Sequence, residues 1–514
     1  MELKINYQLN DCGLRLFEKI KSIFENAQYE QFDINDEAFI NISLNKEING
    51  PVRVLNPQKA IENTQDSEKY CSVLNINSIA CNSQVEESVI KTYEVILWGF
   101  TCISLKVWSG ANERGKPKTL RERDNQKVVD QARRILYFLG LDLAVVTIAY
   151  TARRRYKALY INPSPNLSDK NVDLIVQKIT DLSSQDQRVM QKDIKMGADP
   201  EFMMFNSRTG KIVSASNHFP REGMVGCDNI RMPNRTQRPV AEVRPRPDYS
   251  PIILTANIKQ ALHMANQMAP YRGVRWAAGS QPGGGFSIGG HIHFSNIKVN
   301  ASILRALDNF VGLPIFLIEN PGPASRRRKR YGRLGDYRTK EYGGFEYRTP
   351  GSWLVSQNVT LAILCLAKIV ISRYPWLPYN YLNTPEAQQA FYQGNKEYFY
   401  PIVERLWSHI EKIDMYEEYS IHLNELHEML ATQSSWNETG DFRKAWMIPA
   451  GSRKRSNSRD SGDELTHNTG ASTYSAAAPV RTRSTGRTRS SGSSEPGTGR
   501  IITSGQVRRN HRVR

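Results

Sequence analysis

Gly197-Ala-Asp-Pro-Glu-Phe202 and Gly289-Gly-His-Ile-His-Phe294 carry ionisable side chains at every second position. Side chains two apart in a strand point to one face, so Asp199 pairs with Glu201 and His291 with His293 on a common side. Ile292 and Phe294 then fall on the opposite, apolar side. Two further segments repeat the pattern. Ala241-Glu-Val-Arg-Pro-Arg-Pro247 aligns Glu242 with Arg244, and Gly344-Phe-Glu-Tyr-Arg-Thr-Pro350 aligns Glu346 with Arg348. Short strands alternate with glycine-rich turns from Lys195 to about Leu354, interrupted by a helix over Ile252–Met268. Helical spacing follows over Ser356–Arg373 and Pro385–Met429. The expected architecture is a sheet with one polar face, backed by helices.

Any one of these pairs is ordinary surface decoration. Four in series point to a common chemistry. Carboxylates with imidazole suit Mg²⁺ or Mn²⁺, with oxygen ligands dominant and one nitrogen accepted. Zinc held by His-x-His is the rival, but His-Glu-x-x-His is absent. Arg244, Arg348 and the basic run Arg326–Arg338, with Arg330, Arg333 and Arg338, match phosphoryl oxygens through planar guanidinium forks. Cations to neutralise a triphosphate, beside arginines to hold a transferring phosphoryl group, are what ATP-driven activation of a carboxylate requires.

Upstream, Tyr93–Leu97, Cys102–Trp108, Ala144–Tyr150 and Tyr156–Ile161 read as strands. Asn125–Leu139 and Asp169–Leu182 read as helices, and Ser183-Ser-Gln-Asp-Gln187 as a polar linker. Mixed elements in this order suggest an α+β or α/β layer. Six scattered cysteines without a CxxC pair point to reduced thiols in a cytosol-like compartment. The start Met1-Glu-Leu-Lys lacks the basic and apolar regions of a secretory signal, and the most apolar stretch, Val359–Ser372, is too short to span a bilayer. A cytoplasmic protein without membrane partners is expected. Of the net charge of +18, half comes from the last segment, where thirteen Lys/Arg stand against four Asp/Glu from Arg453 to Arg514. Residues 451–514 are rich in Ser, Thr, Gly and Arg with one aromatic, Tyr474, and are expected to be disordered. Their charge suits an anionic partner, nucleic acid or an acidic protein.

The series GADPEF, AEVRPRP, GGHIHF and RRKRYGRLGDYR…GFEYRTPGSWL resembles the phage-type COOH–NH₂ ligases, type 2, of the glutamine synthetase-like amidoligase superfamily, across about 160 residues. The resemblance implies an antiparallel sheet whose concave face holds two or more Mg²⁺ or Mn²⁺ ions and the phosphates of ATP. It implies that Glu201 and Glu242 bind one ion, and that Asp199, His291 and Glu346 bind a second. His293 would lie near the nucleotide phosphates and Arg348 at the transferring phosphoryl group. Asp228, in the loop Gly223-Met-Val-Gly-Cys-Asp-Asn229, would contribute. Asp199 stands where glutamine synthetase itself has Glu. The implied activity is ATP-dependent joining of a carboxyl to an amine through an acyl phosphate, in a phage-encoded protein of the host cytoplasm.

The segments Leu139–Ile148 and Tyr156–Leu167 are similar to the end of an ATP-grasp domain of the RimK type. That family's two Mg²⁺ carboxylates correspond to Thr147 and Tyr160, and only Asn162 keeps its type, so the resemblance implies the fold with catalysis lost. The expected fold class is α+β throughout: an ATP-grasp-like domain over 1–187, a glutamine synthetase-like ligase domain over 188–450, and the tail over 451–514. The competing reading is a non-catalytic phage structural or nucleic-acid-binding protein that keeps the ligase scaffold. A metal hydrolase would use the same ligands but leaves the arginines idle. The sequence specifies neither the carboxylate and amine substrates nor the oligomeric state.

Overall fold

A computed structural model describes residues 2–44, 52–81, 88–110, 115–189, 194–269, 272–283, 285–378 and 381–449. The tail 451–514 and its expected disorder lie outside these residues.

The fold is α+β, and its sheets are antiparallel apart from one parallel pairing. β1 (Glu2–Gln8), β2 (Gln28–Ile34), β3 (Glu37–Ser43) and β4 (Val52–Leu55) form a sheet of order β2-β3-β1-β4, in which β1 and β4 run parallel. β5 (Val89–Trp98), β6 (Thr101–Ser109), β7 (Lys118–Thr119), β8 (Leu143–Thr151) and β9 (Tyr156–Asn162) form a second sheet, ordered β7-β6-β5-β8-β9. The strands expected here are all found, as is the helix Gln126–Phe138. The polar stretch Ser183–Gln187 is not a linker. It continues the helix Asp169–Val189, because polar residues without Gly or Pro do not by themselves end a helix.

The third sheet contains β10 (Met196–Asn206), β11 (Ile212–Val213), β12 (Val225–Cys227), β13 (Val240–Val243), β14 (Val274–Ala277), β15 (Gly290–Phe294), β16 (Tyr337–Thr339) and β17 (Phe345–Tyr347). Its principal order is β12-β13-β10-β15-β17-β16, with β11 and β14 pairing the far end of β10. All four segments with alternating ionisable residues therefore lie on adjacent strands, β13, β10, β15 and β17. On the opposite side Ile292, Phe294, Phe345 and Tyr347 are buried in the core, Phe294 packing on Phe345 at 5.2 Å between ring centres. Gly290 is required by close approach, since a Cβ there would lie 2.5 Å from the Gly351 carbonyl oxygen and from the Trp353 ring.

Helices back this sheet. Pro251–Met268 starts at Ser250, whose hydroxyl accepts from the Ile253 amide, and Gln357–Arg373 starts likewise at Ser356. Gln357–Arg373 packs against Pro251–Met268 and Tyr416–Ala431. The long helical stretch expected over Pro385–Met429 is broken. Pro385–Gln393 ends at Gly394, whose φ of +76° is the left-handed cap that glycine favours, and Val403–Glu411 and Tyr416–Ala431 follow separately. Ala301–Ile318 and Gln357–Trp376 are long and apolar enough to cross a bilayer, yet 100% and 83% of them are buried inside the protein, so they read as core helices.

Polar contacts knit the N-terminal half to the ligase-motif half. Arg305 donates to Asp142 Oδ1 at 2.9 Å and to the Leu141 carbonyl at 2.6 Å, with both charged side chains almost wholly buried. Asp308 accepts from Tyr137 (2.6 Å) on one side and from Tyr347 (2.7 Å) and Thr349 (3.1 Å) on the other, and from the Gly335 amide. Cys71 and Cys81 are joined by a disulfide, against the expectation of reduced thiols, while Cys12, Cys102, Cys227 and Cys365 are free. The pairing depends on the chain folding back to bring the two Cα atoms within 5.1 Å, which spacing alone does not encode.

The Arg305–Asp142 pair gives a test of this union. Removing one partner strands a buried charge, so Arg305→Met should destabilise the protein by roughly 3–5 kcal/mol, and Arg305→Met with Asp142→Leu by clearly less. Urea unfolding measures both. A single variant within about 1 kcal/mol of wild type would show that the pair does not hold the halves together.

Candidate metal and phosphate site

The antiparallel register assembles the site. Asp199 on β10 faces His291 on β15, and His293 faces Glu346 on β17. On the other edge of β10, Glu201 faces Glu242 on β13. Arg338 on β16 faces Glu346. Residues from five strands thus occupy neighbouring places on one face.

Asp199, His291 and Glu346 each offer a ligand atom within 4.8 Å of the others. His291 Nδ1 lies 3.2 Å from Asp199 Oδ1 and 3.5 Å from Glu346 Oε1, and His293 Nε2 lies 3.0 Å from Asp199 Oδ1. Neither Asp199 Oδ1 nor His293 Nε2 makes an aligned hydrogen bond, although both atoms are buried. Ligand atoms this close, with two of them buried and unpartnered, fit a divalent cation, which at about 2.1 Å from each ligand sets neighbouring ligands about 3 Å apart. Glu201, Glu242 and Asp228 line the same cavity, of about 330 Å³, and Glu201 Oε2 accepts the Gly289 amide at 2.7 Å. Glycine at 289 also leaves room for the imidazole, since a Cβ there would lie 2.3 Å from His291 Nε2.

The electrostatics separate two groups of acids. Burial, and then Asp228 and Glu242, push the Glu201 carboxyl well above the usual carboxylate range. Glu242 is pushed up to about 8 by burial and by Asp199, against the opposing pull of Arg244. For Asp199, burial raises the carboxyl, but His291 and His293 outweigh it and hold it well below the ordinary value. Burial and Asp199 raise Glu346, and His291 and Lys340 bring it below. Lys340 Nζ lies 2.5 Å from Glu346 Oε2, so one carboxylate is shared between the imidazole cluster and a cationic rim. Glu201 and Glu242, by contrast, are crowded with too little positive charge. A bound cation is the direct remedy.

Not every expected residue arrives here. Arg338 and Arg348 line the cavity. Arg348 Nε stands 3.1 Å from Glu346 Oε1, and its guanidinium lies over the Tyr331 ring at 5.4 Å. Arg244 instead folds back to pair with Glu242 and to donate to the Gly223 and Arg221 carbonyls, each at 3.3 Å. Arg330 and Arg333 line a neighbouring cavity. The run Arg326–Arg338 is no single clamp because the helix Pro321–Arg328 and the turn after it point its members in different directions. Arg327 and Arg328 are buried, Arg327 donating to the Thr349 carbonyl (2.7 Å) and the Arg348 carbonyl (3.2 Å) and Arg328 pairing with buried Glu319. Tyr331, Lys340 and Asn229 belong to the site or its rim and were not singled out in the sequence. They lie in turns or at a hairpin end without strand alternation to mark them.

Residues 196–448, just under half of the chain, match the family described as Phage phiEco32-like COOH.NH2 ligase-type 2, the one that the motifs of this segment resemble. Among curated proteins no match is found. Similar solved structures include the macrocyclase MdnB from Microcystis aeruginosa MRC, at 14% identity and TM-score 0.22, covering 35% of this chain and 97% of that one. A bifunctional glutathione synthetase from Pasteurella multocida follows at 11% identity and TM-score 0.32, covering 53% of this chain and 50% of that one. Likeness at this level establishes neither fold nor activity.

The crowded acids yield a pH test. A carboxyl raised by folding stabilises the protein below its unfolded value and loses that contribution as pH rises through the folded value. For Glu242 this window runs from 4.5 up to about 8. In EDTA the melting temperature should therefore fall between about pH 5 and pH 9. Mg²⁺ should restore it most at the alkaline end, and Glu242→Gln should flatten the slope. A Mg²⁺-induced shift of equal size at pH 5 and pH 9 would contradict the assignment.

Proposed function

From the match of residues 196–448 to the COOH.NH2 ligase family, we propose that the protein is an ATP-dependent ligase that joins a carboxylate to an amine. The observation that carries the reading is the convergence of Asp199, Glu201, Glu242, His291, Glu346 and Arg348 on one cavity. A hydrolase would use the acids and the imidazole, but would leave Arg338, Arg348 and Lys340 around them without a task.

Asp199, His291 and Glu346 would hold one Mg²⁺ or Mn²⁺, and Glu201 and Glu242, with Asp228, another. Bound there, the cations supply the charge that lets a triphosphate approach a carboxylate. Arg348 and Arg338, which line the cavity, hold the phosphoryl oxygens by hydrogen bonds while the group passes to the substrate carboxylate. A substrate carboxylate oxygen bonds to the γ-phosphorus as the bond to ADP breaks, giving an acyl phosphate. The amine then attacks the acyl carbon, inorganic phosphate leaves, and the amine proton passes to base.

The sheet from β10 to β17 is, on this reading, the glutamine synthetase-like core of a ligase domain over about 188–450. Residues 1–187 form an ATP-grasp-like domain whose own Mg²⁺ carboxylates are replaced by Thr147 and Tyr160. A phage origin, action in the host cytoplasm and contact of the basic tail with nucleic acid or acidic protein complete the proposal.

The test is nucleotide turnover with mass-spectrometric comparison of cells making wild-type and Glu346→Ala protein. Mg²⁺-dependent release of ADP, not AMP, is expected, with an acyl phosphate trapped by hydroxylamine. Glu346→Ala and His291→Ala should lower turnover by about 10²-fold or more while the circular dichroism spectrum is kept. Normal turnover in both variants would refute the ligand assignment.

A further inference from the structure

Beside the cation cavity lies a second one, of about 670 Å³, and Arg338 lines both. Its walls come from two parts of the chain. The ligase-motif half gives Arg330, Arg333 and Tyr337. The N-terminal half gives Phe100, from the turn between β5 and β6, and Arg133 and Arg134 from the helix Gln126–Phe138.

The lining has two characters. Around Phe100 it is flat and hydrogen-bonding. Phe100 stacks on Tyr337 with ring centres 5.5 Å apart and planes 4° from parallel, and Arg133 is fixed by the Phe100 carbonyl (2.7 Å), Asp130 (2.9 Å) and Glu122. Arg134 and Arg333 make the other part. Burial, and then Arg333, hold Arg134 below its ordinary range, and among the described residues no carboxylate forms an ion pair with Arg134, Arg330 or Arg333. Arg134 donates to the Asn77 carbonyl (2.9 Å) and Asp336 lies in the same lining, but the guanidiniums stay unpaired with it, and an anion between them would stabilise them. Aromatic faces from Phe100 and Tyr337, carboxylates able to accept from hydroxyls, and guanidiniums of which Arg338 is shared with the cation cavity supply what the base, ribose and phosphates of a nucleotide each require. The volume lies within the range of small-molecule sites.

We infer that this second cavity holds the nucleoside end of the ATP whose phosphates reach the cation cavity, so that the N-terminal half supplies one wall of the ligase site. The inference rests on the ligase reading above. It gives the N-terminal half a task that does not need the carboxylates absent at Thr147 and Tyr160. It also accounts for Arg330 and Arg333, which point away from the cations, and for the buried Arg305–Asp142 and Asp308–Tyr137 contacts, which fix the helix Gln126–Phe138 against the sheet.

The experiment measures binding of ATP and of inorganic tripolyphosphate to the full chain, with Mg²⁺, by calorimetry. Phe100→Ala should weaken ATP about tenfold and leave tripolyphosphate unchanged, the size of effect expected for one base stacked on one ring. Arg134→Gln should weaken both, and Mn²⁺ affinity should match wild type in each. Photolabelling of the wild-type chain with 8-azido-ATP, which needs no variant, should mark the segment between Phe100 and Tyr137 and be competed by ATP. Wild-type ATP affinity in both variants, or labelling confined elsewhere, overturns the inference and leaves the ligase reading standing. A wild-type chain that binds no ATP sinks both. Weakening of tripolyphosphate by Phe100→Ala would show a loss of the fold of the site and not of a base contact, and would overturn the placement of the base on that ring.

Discussion

Ionisable groups crowded at short range inside a protein must find partners, and the register of four antiparallel strands makes that unavoidable here. Asp199 and His291, His293 and Glu346, and Glu201 and Glu242 are directly opposed. No single strand holds more than two of these groups. The sheet therefore does to charge what a core does to apolar surface: it concentrates it, and folding is tied to whatever neutralises it. Imidazoles and Lys340 serve Asp199 and Glu346, whereas Arg244 beside Glu242 and the Gly289 amide on Glu201 do not offset burial and the neighbouring acids.

Support for this face comes from buried charges that are themselves paired or hydrogen-bonded. Glu319 pairs with Arg328 and accepts from Ser280 (2.9 Å) and from the Gly351 amide (3.1 Å). Arg327 grips the carbonyls of Arg348 and Thr349, fixing the chain just where the Arg348 side chain enters the cavity. Asp308 opens a wider, π-type turn within the apolar stretch Ala301–Ile318 and ties Tyr347, next to Glu346, to Tyr137 of the N-terminal half. Its carboxyl is pushed up to about 6, mainly by burial, against four hydrogen bonds that favour the charged form. Each contact limits how far a ligating side chain can drift, and precise placement is what catalysis by positioning demands.

Much of the site was legible because its segments obey the two-residue period of a strand, with Ile292, Phe294, Phe345 and Tyr347 turned to the core. Pro200 between Asp199 and Glu201, within a central strand, is the sort of local exception that marks a functional face. What escaped the reading lies where no period operates. Tyr331 and Lys340 sit in turns, the polar residues 183–187 extend a helix, and Cys71 and Cys81 meet only through a fold-back. The arginines were visible as a run, but a run says nothing of direction. A helical turn buries Arg327 and Arg328, leaves Arg330 to a neighbouring cavity and yields only Arg338 to both.

The sequence by itself determined which residues could bind cations and phosphate, since alternation within a strand is a local property of backbone geometry. It marked the α+β class and the resemblance of residues 196–448 to the ligase family for the same reason, because short ordered motifs survive reading one at a time. Tertiary structure alone decided which acids face which bases, for strand pairing joins residues far apart in the chain through hydrogen bonds that no spacing records. It also decided that the N-terminal half borders the site, because two buried carboxylates, Asp142 and Asp308, find their partners across the chain and lock one half onto the other.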